Sequence, residues 1–277
     1  MSESQAETQE PKQDEEAAKP GFWRDDLPTL VLAVAVALVV RTFVFQTFYV
    51  PSSSMFPTLL IGDHVFVNKF VYGPKLPGAD WRFPAVRAPE RGEVVVFQFA
   101  RAPNGTIHPP DVKPQYPTDN FVKRLVGMPG DRIAYRSGHL ILNGEPVPVE
   151  PTGQVFVDEA GVSRDVYIET LGECRHVILD DPRTLGRDMP ERRVEEGRYL
   201  FMGDNRDNSY DGRYAGTVRL ADLSGPAGLT YWSWDWNGSW WSLLNPLTWV
   251  DNFANRMRWG RMGQRVRCLE PGEVPDL

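Results

Sequence analysis

The chain has 277 residues, 42% hydrophobic and 24% charged, with a formal net charge of −7 and two cysteines, Cys174 and Cys268. That length holds one sizeable domain or two modest ones, the negative charge argues against a nucleic-acid partner, and two cysteines exclude a disulfide-dense scaffold or a cysteine-rich zinc site. Proline and glycine, 24 of each, favour a turn-rich β protein over a helical bundle, and no glycine-rich phosphate loop or internal repeat is present.

Residues 1–26 are polar and acid-rich and read as a disordered cytoplasmic tail. Residues 27–50 form the one apolar run of membrane length. Arg41 interrupts it, and a charge at that depth is expected to snorkel or to face protein. The run is long, and Pro51-Ser52-Ser53 rather than an A-x-A cleavage site follows it, so an uncleaved signal anchor is expected. Lys12, Lys19 and Arg24 precede the run and only Lys69 follows it closely. This asymmetry predicts a cytoplasmic N-terminus and an extracytoplasmic domain over 51–277. An oxidising compartment would permit a Cys174–Cys268 disulfide.

Beyond the anchor, short β-rich runs such as His64–Val67, Glu93–Phe97, Phe121–Val126 and Tyr199–Met202 alternate with turns at Gly62-Asp63, Arg91-Gly92, Pro129-Gly130 and Asn143-Gly144. Residues 101–118 read as a proline-rich loop, and residues 138–197 as a more polar, less regular insertion. Trp232, Trp234 and Trp236 alternate as on one strand face. Trp249, Phe253 and Met257 with Arg256, Arg258 and Arg261 suggest a short basic amphipathic helix, and with Trp240 and Trp241 a membrane-docking region.

Three stretches carry candidate chemistry. The first is Ser52-Ser53-Ser54 between Pro51 and Pro57, followed by an apolar stretch that a plain linker would not need. A serine nucleophile requires a base. His64, His108, His139 and His176 sit in no triad pattern, and no G-x-S-x-G elbow exists. A lysine serves instead if apolar burial lowers its pKa, and Lys123 lies among Phe121, Val122, Leu125 and Val126. The third stretch, Gly203–Tyr214, is dense in carboxylates, amides and arginines. As a calcium loop it fails, because the terminal glutamate position falls on Val218. A rigid hydrogen-bonded platform beside a site is the better account.

Pro51–Asp63, Arg91–Phe97, Phe121–Asp131 and Gly203–Tyr214 resemble, in order, the four conserved boxes of bacterial type I signal peptidases, with the anchor placed just before the first. The resemblance implies an antiparallel β catalytic domain with an inserted smaller β region. It implies a membrane-bound serine endopeptidase that removes signal peptides from secreted preproteins after small residues, through an acyl-enzyme and without a cofactor. By motif position Ser54 becomes the nucleophile and Lys123 the general base. Ser52 joins the Ser54 N–H in the oxyanion hole, Ser209 orients Lys123, Asp211 and Arg213 form an ion pair, and Phe48, Val50 and Val122 line the substrate pockets. Gly212 and Ala215 depart from the serine and tryptophan frequent in the last box. Two other readings stay open: an anchored β domain without enzymatic activity, and a relative dedicated to one substrate such as a pilus protein.

Overall fold

A computed structural model describes residues 22–75, 81–158, 160–181, 184, 188–235 and 254–273. It divides into two compact units, Met1–Val40 and Arg41–Leu277. The first is dominated by helix α1 (Phe22–Phe43), which at about 1.5 Å per residue spans roughly 33 Å. Its segment Asp26–Phe43 has a mean hydropathy of 1.9, and Leu30, Leu32, Val36 and Leu38 are exposed. It is a helix long and apolar enough to cross a membrane.

The apolar run does not stay helical to Val50. Strand β1 (Phe45–Tyr49) pairs antiparallel with β2 (Asp63–Asn68), from Phe45 opposite Asn68 to Tyr49 opposite His64. Aromatic and β-branched residues suit a pleated, half-buried surface, and the side chains of Phe45–Tyr49 alternate between exposed and half-buried, the period of a strand.

The rest of the second unit is antiparallel β structure, as the motifs imply. Its strands continue as β3 (Val94–Arg101), β4 (Ile107–His108), β5 (Thr118–Gly127), β6 (Arg132–Arg136), β7 (His139–Leu142), β8 (Glu145–Pro146) and β9 (Val149–Val157). They are followed by β10 (Ser163–Leu171), β11 (Cys174–Asp180), β12 (Met189–Arg193), β13 (Arg198–Met202), β14 (Val218–Arg219) and β15 (Leu223–Ser233). The main sheet runs β1-β2-β15-β3-β5-β13-β14, with β4 on β3. Its core holds Val95, Phe97, Phe99, Leu125 and Phe201, with the rings of Phe97 and Phe201 stacked at 4.3 Å. A second cluster, Val50, Met55, Leu59, Val65, Val94 and Val96, packs beneath the serine stretch.

The segment 138–197 is not irregular. It contributes six strands to two sheets, β12-β6-β7-β8 and β11-β10-β9. Because β6 shares its sheet with β7 and β12, the boundary expected at residue 138 cuts a hairpin in which Arg136 faces His139. The pattern is hard to see in the sequence because β9 is largely exposed, so its Glu150, Thr152 and Gln154 hide the apolar alternation.

A C-terminal strap runs antiparallel along part of β15 and on to β11. Gly263 N donates to Thr230 O (2.8 Å), Thr230 N to Gln264 O (2.9 Å) and Val266 N to Gly228 O (3.1 Å) along β15, and Leu269 N donates to Arg175 O (2.7 Å) on β11. The Cys174–Cys268 disulfide is formed, with Cα atoms 5.2 Å apart. It lies against Gly92, whose φ is +88° and where an added Cβ would come within 2.4 Å of Cys174 Sγ. The basic residues of the strap serve the domain rather than a free helix face. Arg258 donates to Ile61 O (2.7 Å), and Arg261 donates to Thr58 O (3.0 Å) and pairs with Asp63 (2.6 Å). Met257 is buried and bridges to Trp234, and Trp259–Arg261 is a 3-10 turn, so the amphipathic helix does not continue through these positions. Trp232 and Trp234 stack at 6.3 Å, the second buried in the core. Trp236, Trp240, Trp241, Trp249 and Phe253 lie outside the described residues.

Candidate active site

Ser54 sits in a 3-10 turn (Ser53–Met55) directly after β1. The apolar Met55, Phe56 and Leu59 bury the far side of the turn and fix where the serine points. Lys123 sits on β5, opposite Val95 of β3. The pairing brings the lysine, 69 positions away in the chain, onto the turn: Lys123 Nζ donates to Ser54 Oγ at 2.5 Å and to Val122 O at 2.9 Å. Both residues are buried, Lys123 to 3% exposure. Burial pushes the Lys123 ammonium down to about 8. Asp211 and Asp204 pull it partly back up, and Arg213 opposes them. An amine of that pKa in contact with a hydroxyl can accept its proton near neutral pH. Ser52 Oγ lies 3.2 Å from Ser54 Oγ. The Ser54 N–H falls in the first turn of a short helix, where backbone donors lack intrahelical partners.

The loop from Gly203 to Tyr214 clamps this turn. Asn205 donates from its backbone N to Ser54 O (3.2 Å) and from Nδ2 to Ser53 O (3.0 Å), and Asn208 Nδ2 donates to Ser53 Oγ (2.8 Å). The fit is close at Gly203, where an added Cβ would stand 2.3 Å from Ser209 Oγ and 2.5 Å from Ser54 O. The loop is tied to itself by the buried pair Asp211–Arg213, joined by two bonds of 2.9 Å, with Gly203 N donating to Asp211 Oδ2 (2.9 Å). It is tied to β5 by Arg124, which grips Asp204 with Nε (2.8 Å) and Nη2 (2.6 Å) while Thr58 Oγ1 donates to the same carboxylate. Burial alone would raise both aspartates. The paired guanidiniums outweigh it and hold them below the usual carboxylate range.

Phe48, Val50, Val65, Val96 and Val122 line a largely apolar cavity of about 210 Å³ that ends at Ser52 and Lys123. A second cavity, about 250 Å³, opens on the other side of Ser54 and Lys123 between Arg101, Gly105, Ile107, Phe121, Asn208 and Tyr210. Ser52, Arg101, Phe121 and Lys123 line both cavities.

The structure thus brings together Ser52, Ser54, Lys123, Phe48, Val50, Val122, Asp211 and Arg213. Ser209 is close by and buried, but the expected hydrogen bond to Lys123 is not made: Lys123 spends its bonds on Ser54 and the Val122 carbonyl. Asn205, Asn208 and Arg101 enter the site without having been expected there. The two asparagines stand in the fourth motif, and their amides, able to donate and accept at once, were the available signal. Among the described residues, no group of three or more His, Cys, Asp or Glu side chains could hold a metal ion.

The family described as "Signal peptidase, peptidase S26" matches residues 23–232. The chain is 39% identical over 184 residues to "Signal peptidase I" of Pseudomonas aeruginosa, covering 65% of this chain and 58% of that protein. With "Signal peptidase I" of Pseudomonas fluorescens the identity is 40% over 182 residues, with the same coverages. The matched region thus spans less than two thirds of both Pseudomonas proteins. A "Probable signal peptidase I-2" of Synechocystis is 31% identical over 217 residues, covering 78% of this chain and 77% of its own length. With the match across three quarters of the chain, and with anchor, serine turn and buried lysine all inside it, this protein belongs to the signal peptidase, peptidase S26 family.

Proposed function

We propose that the chain is a membrane-anchored serine endopeptidase that cleaves signal peptides from exported preproteins. The observation that carries this reading is the 2.5 Å contact between Ser54 Oγ and Lys123 Nζ in a hollow that both residues line, with the apolar cavity reaching the same lysine. In the neutral state Lys123 accepts the Ser54 proton as Oγ attacks the scissile carbonyl. The oxyanion is received by the Ser54 N–H and the Ser52 hydroxyl, each such donor being worth roughly 10²–10³ in rate. As the tetrahedral species collapses, the Lys123 ammonium returns its proton to the leaving amine and the signal peptide stays esterified to Ser54. Lys123 then deprotonates a water that hydrolyses the ester. The narrow apolar cavity of Phe48, Val50 and Val122 restricts the residue before the cleaved bond to small side chains. Ser209, packed beside Gly203, keeps the amine's surroundings tight.

The lysine and arginine asymmetry around the anchor supports a cytoplasmic N-terminus, and the disulfide supports an extracytoplasmic catalytic domain. The substrate is then held in the same bilayer by its own apolar segment, which raises its effective concentration at Ser54. The test is incubation of the detergent-solubilised chain with a preprotein. Wild type releases the mature protein, while Ser54→Ala, Lys123→Ala and Lys123→Arg do not, the last because a guanidinium stays charged. Cleavage by any of the three would sink the dyad.

A further inference from the structure

Glu169 lies on β10, in the segment with least resemblance to the family's motifs, and it is completely buried. A buried carboxylate needs a partner, and this one has a bidentate one: Arg206 Nη1 donates to Oε1 (2.6 Å) and Nη2 to Oε2 (2.5 Å). Across the strand pair His176 Nε2 stands 3.2 Å from Oε2. That is ion-pair distance, but burial and the nearby Arg124 hold His176 below its ordinary pKa, against the opposing pull of Glu169, so the histidine is the weaker of the two partners. The charge partner of Glu169 is therefore Arg206.

Arg206 begins the 3-10 turn Arg206–Asn208, whose flanking and last residues, Asn205 and Asn208, hold Ser53 and Ser54. Its Nε donates to Gly203 O (3.2 Å), and its own carbonyl accepts from Arg213 Nη2 (2.6 Å). The β11 strand and the residue after it reach the same loop twice more, with Leu179 N donating to Asp204 O (2.9 Å) and Asp181 N to Asp207 Oδ2 (2.6 Å). A peripheral sheet thus grips the stretch 204–207 just behind the nucleophile, and Glu169 supplies the buried negative charge in that grip.

We propose that Glu169 is a positioning residue for Ser54 and Lys123. Through Arg206 it fixes the turn from which Asn205 and Asn208 orient the serine, so its loss lets Ser54 drift from Lys123, while the apolar hollow of Phe48, Val50, Val65, Val96 and Val122, which takes no residue from that loop, stays as it is. The inference rests on the proposed dyad.

The experiment uses the full chain in detergent. Glu169→Asp keeps the charge but is one methylene too short for the bidentate grip, so the fold survives; Glu169→Gln removes the charge. Arg164→Gln, which breaks the Asp158–Arg164 pair at the far end of the same sheet, controls for general loosening. The expected result is a kcat tenfold or more below wild type for both Glu169 variants at unchanged KM, with Arg164→Gln within twofold. A second arm needs no proteolysis. In the Ser54→Cys background the disulfide leaves the introduced sulfur as the one free thiol. Its alkylation by iodoacetamide is followed against pH, and Glu169→Asp should slow it severalfold and move its midpoint to more alkaline pH as the Lys123 charge recedes. A Glu169→Asp enzyme with wild-type kcat, an equal loss in Arg164→Gln, or an unaltered alkylation profile would overturn the proposal. If folded wild type cleaves no preprotein, the proteolytic reading falls, and the alkylation arm still decides whether Glu169 positions residue 54.

Discussion

Lys123 is the residue on which chemistry and stability pull in opposite directions. Its pKa is lowered from 10.5 to about 8, with burial the largest cause, so in the folded state the neutral form is favoured relative to the unfolded chain. The penalty for the charged form is fully present below about pH 8 and disappears as pH rises past the unfolded value. Two outcomes follow. The rate kcat/KM should rise tenfold per pH unit below about 8 and level off above it; a profile flat across that range would count against a lysine base. At pH 7 Lys123→Met should abolish cleavage yet raise stability, measured by urea unfolding. The gain should be on the order of 3 kcal/mol, because each tenfold change in the protonation equilibrium is worth about 1.36 kcal/mol. A destabilised variant would show that the ammonium is better accommodated than its burial implies. Ser54 and Lys123 were legible in the sequence chiefly through the motifs they stand in; their settings, serines against an apolar run and a lysine inside a hydrophobic strand, drew the eye but did not choose among Ser52, Ser53 and Ser54. Glu169 was not, since its meaning depends on Arg206, 37 positions on, and nothing near it in the chain marks it.

At the scale of elements, strands whose apolar residues face a core were readable, as at Glu93–Phe97 and Phe121–Val126, and strands with solvated faces, such as β9, were not. The helix-to-strand change at Phe43–Phe45 was missed because both sides are apolar, and only the period of side chains distinguishes them. The junction between β11 and the site loop offers its own titration. Burial, and the like charge of Asp207 facing it, raise the Asp180 carboxyl to about 6, against smaller opposing pulls from Arg206 and Arg213. A raised carboxyl gives stability that is fully present below the unfolded value and lost as pH climbs through about 6. Asp180→Asn should therefore match wild type in melting temperature near pH 4 and exceed it by a few degrees at pH 7. A constant difference across that range would mean that the raised carboxyl has no part in stability.

Taken whole, the molecule joins an apolar helix to a β unit whose C-terminal strap is pinned to β11 by Cys174 and Cys268, 94 residues apart in sequence. The backing of the serine turn comes from that strap, since Arg261 holds Thr58 and Asp63. The strap lies beyond residue 232, where the family match ends, so it is the part of the architecture that motif resemblance could not have supplied. The disulfide closes a covalent ring through β11, β12, β13, the site loop and β15. A single cut by another protease anywhere in that ring opens the chain without releasing a piece. Nicked protein should run as a single full-mass band without reductant, separate into two fragments with it, and keep its cleavage activity in the first state, because Arg261 remains tethered behind the serine. A nicked, unreduced chain that has lost its C-terminal fragment would show that the ring is not closed in solution. One covalent bridge thus lets the backbone be broken once and the molecule still be one piece.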